Sequence, residues 1–223
     1  MPASSPTPVP IAVLLGGGIE STVLVLRYLA KGEAVLPIHV HCGLIWDDCE
    51  ATYVRRFLAG LDHRNLLPLR ECRIPLRDFL GDHWAVTGVG APRADASAAQ
   101  LEIPLRNLAL LGFALHRLPE YSPVRLALGT TAENCYRDGS REYFDRCQEV
   151  LSLEAGRPVQ ILTPLIELTK SQVIQQTGGE RLALSFSCVS PVSGNHCGVC
   201  IKCGRRRKAF QVAGVTDPTR YAD

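Results

Sequence analysis

IAVLLGGGIESTVLVLRYLAKG, Ile11 to Gly32, places a strand, a glycine turn and a helix end to end. Ile11 to Leu15 is a continuous β-branched and leucine run, the composition of a strand covered on both faces by helices, and this calls for a parallel sheet. Gly16, Gly17 and Gly18 interrupt it. Glu20 to Gly32 then predicts a helix that stops at a glycine with Lys31 in its last turn. Glycines let a backbone approach an anion, and the first-turn amides and helix dipole favour negative charge. Leu15, Gly16, Gly17, Gly18, Ile19, Glu20, Ser21 and Thr22 are therefore the candidate phosphate-binding turn, with the Ser21 and Thr22 hydroxyls as extra donors. The turn lacks a Walker A lysine and the wider glycine spacing of a dinucleotide fingerprint, which argues against a GTPase or a dehydrogenase. The plain alternative is a tight strand-to-helix turn with no ligand.

The same alternation continues outward. Ala34–Cys42 reads as a strand, Asp47–Leu61 as a helix, Leu66–Arg70 as a strand, Arg106–Leu118 as a helix, Val124–Thr131 as a strand and Ser140–Glu154 as an amphipathic helix. Thr169 with Gln172 is a capping box opening a short helix that ends at Gly178-Gly179. Units of this length imply right-handed crossovers and a doubly wound α/β sheet. Ala85 to Ala99, rich in Gly, Ala and Ser, is expected to be a mobile lid over the carboxyl ends of the strands. Residues 1–10, MPASSPTPVP, read as a flexible tail. Residues 11–223 read as a single domain, with an appendage at about 186–223.

With 223 residues, 46% hydrophobic and 21% charged, the chain can bury a full core, which excludes fibrous and disordered classes. A net charge of +2 and a pI near 8.1 are too mild for a nucleic-acid partner but leave an acidic small molecule open. The absence of a long apolar run and of a signal-like start gives the expectation of a cytoplasmic chain with no membrane association. Of nine cysteines, Cys42, Cys49, Cys72, Cys135 and Cys147 are scattered, and the odd total argues against a disulfide framework.

The other four, Cys188, Cys197, Cys200 and Cys203, form two overlapping C-x-x-C steps closed by a cysteine upstream. Four soft thiolates can surround one tetrahedral Zn²⁺ and leave no position open for water, so the metal is expected to be structural. The same thiolates also suit an iron–sulfur cluster. His196 could replace a ligand, but it is read instead as exposed or as backing the ligands from behind.

Several stretches carry a resemblance. LLGGGIESTVLVL resembles the pyrophosphate loop Ser-Gly-Gly-x-Asp-Ser of the N-type ATP pyrophosphatases, with Gly16 in place of the first serine and Glu20 in place of the aspartate. FSCVSPVSGNHCGVCIKCGRRRKAF with AGVTDPTRY, IPLRNLALL, LALGTTAEN and PLIELTKSQVI are similar to the 7-cyano-7-deazaguanine synthase family, in matching order from about Val13 to Tyr221. The resemblance implies an adenine nucleotide alpha-hydrolase-like (HUP) fold. It also implies ATP-dependent conversion of 7-carboxy-7-deazaguanine and ammonia to a nitrile through an adenylate, with Mg²⁺, in a cytoplasmic homodimer. It further implies that Glu20, Ser21 and Lys170 act in catalysis and that Arg106 faces nucleotide or substrate. Two other readings are a diverged ligase that adenylates another acid or attaches a deazaguanine to a macromolecule, and a non-catalytic nucleotide-binding zinc protein.

Arg137, Asp138 and Arg146 are candidate substrate contacts, because they flank a turn after the strand expected to end at Thr131, close to the sheet's carboxyl edge, and the resemblance implies the same of Asn107, beside Arg106. Arg141 stands with them, and each is as readily a solvated helix face. The basic run Lys202, Arg205, Arg206, Arg207 and Lys208 invites an RNA reading, but aromatic interleaving is missing and a helix there would divide the run between core and solvent. Trp46 and Trp84 read as core or as ligand-stacking residues.

Overall fold

The computed structural model describes residues 9–222. The tail expected over residues 1–10 lies outside them except for Val9 and Pro10. The chain runs β1 (Ile11–Leu14), α1 (Ile19–Ala30), β2 (Val35–His41), α2 (Asp47–Ala59), β3 (Arg70–Arg73), α3 (Leu76–Leu80), α4 (Trp84–Thr87), α5 (Arg106–Leu115), β4 (Val124–Ala127), α6 (Arg141–Ala155), β5 (Val159–Leu162), α7 (Lys170–Thr177) and α8 (Ile201–Ala213). The strands form one parallel sheet in the order β3-β2-β1-β4-β5. Winding outward in both directions from β1 makes the sheet doubly wound. Its switch point lies between β1 and β4, where open α/β sheets take their ligands.

The pleat divides the core. Ala12, Leu14, Leu36, Ile38, Val40, Val124, Leu126, Val159 and Ile161 face a layer supplied by α5 and α6. Ile11, Val13, Val35 and Ala127 face α1, α2, α7 and α8. Period-two alternation thus sends neighbouring residues into different layers, and both layers are largely apolar, which is why β1 carries no polar face.

Two edge strands depart from the sequence reading. The strand expected at Leu66–Arg70 begins four residues later. Leu67 N–H donates to the Val35 carbonyl at 2.8 Å, but Pro68 has no N–H to continue the ladder, and regular pairing starts at Arg70. β3 is polar because it has a neighbour on one side only. β5, also at an edge, has no counterpart in the sequence reading, since VQIL is short and buries alternate residues. The Val124–Thr131 strand ends at Ala127 and the Arg106–Leu118 helix at Leu115.

The segment expected to be a mobile lid is instead bound to the cysteine-rich segment. Ile201 N–H donates to the Pro92 carbonyl and Ala94 N–H to the Val199 carbonyl, each at 3.1 Å. Within it, α4 and a capping box from Ser97 to Gln100 give local order, and the region forms a wall. No helix among the described residues is long and apolar enough to cross a membrane.

The C-terminal tail is fastened by Arg206, which is 1% exposed. Its guanidinium donates to Thr219 Oγ1 (2.6 Å), Ser185 Oγ (2.9 Å), Ser187 Oγ (3.2 Å) and the Leu182 carbonyl (3.3 Å), with Asp217 at 3.8 Å. Removing one partner of a buried charge network leaves the others desolvated and unpaired. Arg206→Ala should therefore cost about 3 kcal/mol, lowering the thermal midpoint by roughly 6–12 °C in calorimetry.

Candidate active site and metal centre

A cavity of about 640 Å³ opens at the switch point. Its floor is the glycine turn. β1 ends there, Gly17 takes φ +78°, and α1 begins with Gly18 as its cap and no side chain capping it. The first helical amides have no intrahelical acceptor and present donors and a positive dipole end. His39 Nδ1 lies 2.8 Å from the Leu15 carbonyl and fixes the strand end. Ile38, Val40, Trp46, Trp84, Leu101, Ile103 and Leu110 make an apolar wall, while Thr130, Thr131, Asn134, Tyr136 and Asp138, carried beyond β4, make a polar one. Trp46 and Trp84 stack on each other with centroids 5.7 Å apart, so they are both core and cavity lining.

Charges concentrate near the floor. Lys170 Nζ lies 2.8 Å from Glu20 Oε1. Burial acts to raise the Glu20 carboxyl, but the Lys170 charge and hydrogen bond outweigh it and hold the group below the usual carboxylate range. Glu50 behaves oppositely. Burial pushes it up to about 8, against the pull of Arg106 and Lys202 and with the help of Asp47. Burial and the neighbouring Lys170 bring Lys202 down to about 8, with Glu20 opposing. Arg106, Arg205 and Lys208 also reach the lining, and Arg106 Nε has no hydrogen-bond partner among the described residues. Three or more cations around a helix N-terminus can neutralise a polyphosphate.

The sequence-predicted residues separate into groups. Leu15, Gly16, Gly18, Glu20, Ser21, Lys170, Arg106, Asn107 and Asp138 line the cavity, and Asn107 Nδ2 donates to the Asp138 carbonyl at 3.0 Å. Ile19 and Thr22 turn into the core, fully buried. A side chain on Gly17 would meet Val54 Cγ2 at 3.4 Å, the Glu50 backbone carbonyl at 3.6 Å and Phe186 Cβ at 3.9 Å, all at van der Waals distance. Gly17 is therefore needed for its left-handed backbone, and not to clear an anion's path. Arg146 was expected at the substrate, but it lies on the outer face of α6, with a 72% exposed side chain paired to Glu149. Arg137 is exposed and outside the main cavity. Arg141 hydrogen-bonds Thr163.

The sequence reading missed Glu50 and assigned Lys202 only to a basic run. A signal existed for both. Glu50, Val54 and Phe57 stand at i, i+4 and i+7, as do Lys202, Arg206 and Ala209, so each charged residue lies on a buried stripe. The basic run itself is partitioned: Arg206 is in the core, Arg207 lies over the Tyr221 ring at 3.9 Å, and Lys202, Arg205 and Lys208 border the cavity.

Cys188, Cys197, Cys200 and Cys203 are buried with all four sulfurs within 4.8 Å of one another. Cys188 Sγ and Cys200 Sγ are 3.8 Å apart, the edge of about 3.8 Å expected of a tetrahedron with 2.3 Å metal–sulfur bonds. Backbone N–H groups of Ser190, Cys197, Cys200 and Cys203 donate to the cluster's sulfurs at 3.3–3.5 Å, which favours thiolates. The donor set fits a structural zinc ion. Of the two sequence readings of His196, exposed or backing the ligands, the structure shows the second, since the residue is buried. Its Nε2 accepts from Ser187 N–H at 3.0 Å, and burial and Arg206 push it down to about 4, so it is a neutral support beside the cluster.

The family described as "Queuosine biosynthesis protein QueC" matches residues 11–214. The chain belongs to this family. Proteins named 7-cyano-7-deazaguanine synthase from Anaeromyxobacter sp. (strain Fw109-5), Chlorobium luteolum (strain DSM 273 / BCRC 81028 / 2530) and Chlorobium phaeobacteroides (strain BS1) are 30%, 29% and 27% identical to it. Each alignment covers 94% of this chain, and it covers 94%, 95% and 95% of the respective relative. The QueC match thus includes the glycine turn, the cavity walls and all four clustered cysteines.

Two outcomes follow from this geometry. Gly17→Ala places a side chain at positive φ and should cost about 1–2 kcal/mol. Gly16→Ser meets nothing within 4 Å and should unfold within about 0.5 kcal/mol of the native chain; denaturant titration measures both. Native protein should contain one zinc per chain by elemental analysis. Cys200→Ser should lose it, together with protease resistance in residues 186–222, because metal affinity in such sites is folding free energy.

Proposed function

We propose that the chain converts 7-carboxy-7-deazaguanine and ammonia to 7-cyano-7-deazaguanine at the expense of ATP. The observation that carries this reading is the position of the glycine turn, the Glu20–Lys170 pair and the cavity cations in one enclosure at the switch point of a QueC-family chain. A carboxylate is a poor electrophile because oxide is a poor leaving group. Attack of its oxygen on the α-phosphorus of ATP expels pyrophosphate and leaves an acyl adenylate, from which AMP departs when ammonia adds. The amide oxygen is then activated by a second ATP, and loss of AMP gives the nitrile. The amides of residues 18–21, Lys170, Lys202 and Arg106 supply the fixed charge that such phosphoryl chemistry needs, and the apolar wall around Trp46 and Trp84 suits a flat heteroaromatic ring.

The Mg²⁺ that accompanies ATP would neutralise phosphate charge, with Glu20 the residue to hold it. Glu20 suits it, because one carboxylate oxygen is held by Lys170 while Oε2 faces the glycine turn, 3.4 Å from the position of a Gly18 side chain. Zinc at the four cysteines would hold the segment that carries Lys202 and Arg205. The homodimer implied by resemblance would have an apolar surface available at Leu105, Leu108 and Phe113, which are exposed on and beside α5.

Pyrophosphate and AMP release, measured with 7-carboxy-7-deazaguanine and ammonia, tests the assignment, and two AMP per nitrile are expected. Gly16→Ser should keep this rate within about twofold, since the hydroxyl enters open space and adds a donor. Glu20→Asp should lower it more than tenfold, a barrier increase above about 1.4 kcal/mol, because the shorter side chain withdraws the carboxylate from Lys170. Release stimulated by a different acid, with none from this one, would favour the diverged-ligase reading.

A further inference from the structure

We propose that Glu50 is the catalytic residue that takes protons from the nitrogen as it becomes the nitrile. This inference rests on the reaction assigned above and identifies a group for it. Ammonia enters with three hydrogens and the nitrile nitrogen keeps none, so three N–H bonds must break per turnover. When ammonia adds to the acyl adenylate, the adduct carries a cationic nitrogen. One proton passes to a base, the C–O bond to AMP breaks, and AMP leaves with the electron pair. After the second ATP has adenylated the amide oxygen and pyrophosphate has left, one N–H proton is lost to give a neutral imidate. The last is lost as the C–O bond breaks, forming the triple bond and AMP. No oxidant or reductant is involved, and a carboxylate that passes each proton on to solvent or pyrophosphate can serve all three transfers.

The cavity offers few acceptors. Lys170, Arg106, Arg205 and Lys208 bring protons rather than sites for them, Lys202, brought down to about 8, accepts one only by giving up the charge that the phosphates need, and Glu20 is committed to Lys170 at 2.8 Å. Glu102 and Glu133 are exposed at the rim. Glu50 lines the cavity from the inward stripe of α2, beside the glycine turn, its carbonyl 3.6 Å from where a Gly17 side chain would begin. No hydrogen bond or ion pair among the described residues engages its carboxyl group. The charged and titratable groups facing it are Asp47 from its own helix, Arg106 from α5, Lys202 from α8 and Cys42 after β2, and they act through space. An unpartnered carboxyl group in such surroundings has a proton affinity near neutrality, about 8, which is where a general base is most effective. Glu20 and Glu50 thus divide the work, one held ionised beside the phosphates and the other free to exchange protons.

The test separates adenylation from proton removal. ATP–pyrophosphate exchange with 7-carboxy-7-deazaguanine in the absence of ammonia reports the first step. Conversion of 7-amido-7-deazaguanine to the nitrile with ATP reports the last, free of ammonia's own titration. In Glu50→Gln, exchange should stay within about threefold of native while nitrile formation falls at least 100-fold. The native rate should rise with pH through a midpoint near 8 and level off about one unit higher, and this limb should vanish in Glu50→Gln and persist, at a lower rate, in Glu50→Asp. In Glu50→Ala, formate should restore part of the nitrile rate. Equal loss of both activities, with a raised Mg²⁺ requirement, would make Glu50 a metal or nucleotide ligand and overturn the inference. The same split appearing in Asp138→Asn and not in Glu50→Gln would move the role to Asp138 and overturn it as well. A native enzyme without exchange on this acid would instead overturn the reaction assigned above, and a native enzyme with exchange and an unaffected Glu50→Gln would overturn only this inference.

Discussion

At Gly129, just beyond β4, a Cβ atom would stand 2.7 Å from Glu20 Cβ and 2.8 Å from the Ser21 nitrogen. The exit of β4 and the first turn of α1 are that close because β1 and β4 are adjacent and parallel across the switch point. The only side chain that allows this approach is a hydrogen atom. From the contact the cavity follows: it sets the height of the glycine turn against the Thr130–Thr131 wall and fixes the helix from which Glu20 reaches Lys170. On the other side of the turn, His39 holds the Leu15 carbonyl, and the Gly17 carbonyl accepts from Phe186 N–H at 2.7 Å. The glycine turn is thus clamped between β2, β4 and the segment leading into the cysteines.

That segment is more than a cap on the sheet. Its four cysteines share a core layer with β1, β2 and β4, while Ala209, Phe210 and Ala213 of the helix that follows join the opposite layer. It accepts the Pro92–Ala94 strap on one side and holds the Asp217–Tyr221 tail through Arg206 and Arg207 on the other. Lys202, one residue before the last cysteine, is delivered to the cavity by the same turn of helix. The cysteine cluster therefore bears on the charge of the cavity through the backbone that carries Lys202 and Arg205.

The two buried glutamates show how environment divides identical side chains. Glu20 has a lysine at hydrogen-bond distance, and the attraction exceeds the cost of burial. Glu50 has cations only through space, and burial prevails. Opposite shifts in neighbouring carboxylates are a common arrangement in sites that need a fixed charge and a mobile proton together.

The sequence alone determined what depends on local chemistry. The apolar run at Ile11–Leu15 required a strand covered on both sides, three glycines before a helix made a tight strand-to-helix turn, Thr169 with Gln172 capped α7, and the spacing of four cysteines suited them to gather in one cluster. Each signal lies within a few residues. The tertiary structure decided what depends on neighbours distant in the chain. The polar β3 and short β5 are strands because a partner completes their hydrogen bonds. Residues 92–94 are held rather than loose because residues 199–201 pair with them. Arg146 faces water and Arg206 the core because the packing of α6 and α8 orients them so. Glu50 and Glu20 acquire different proton affinities because that property is a sum over charges and burial contributed by separate elements, and no local pattern contains such a sum.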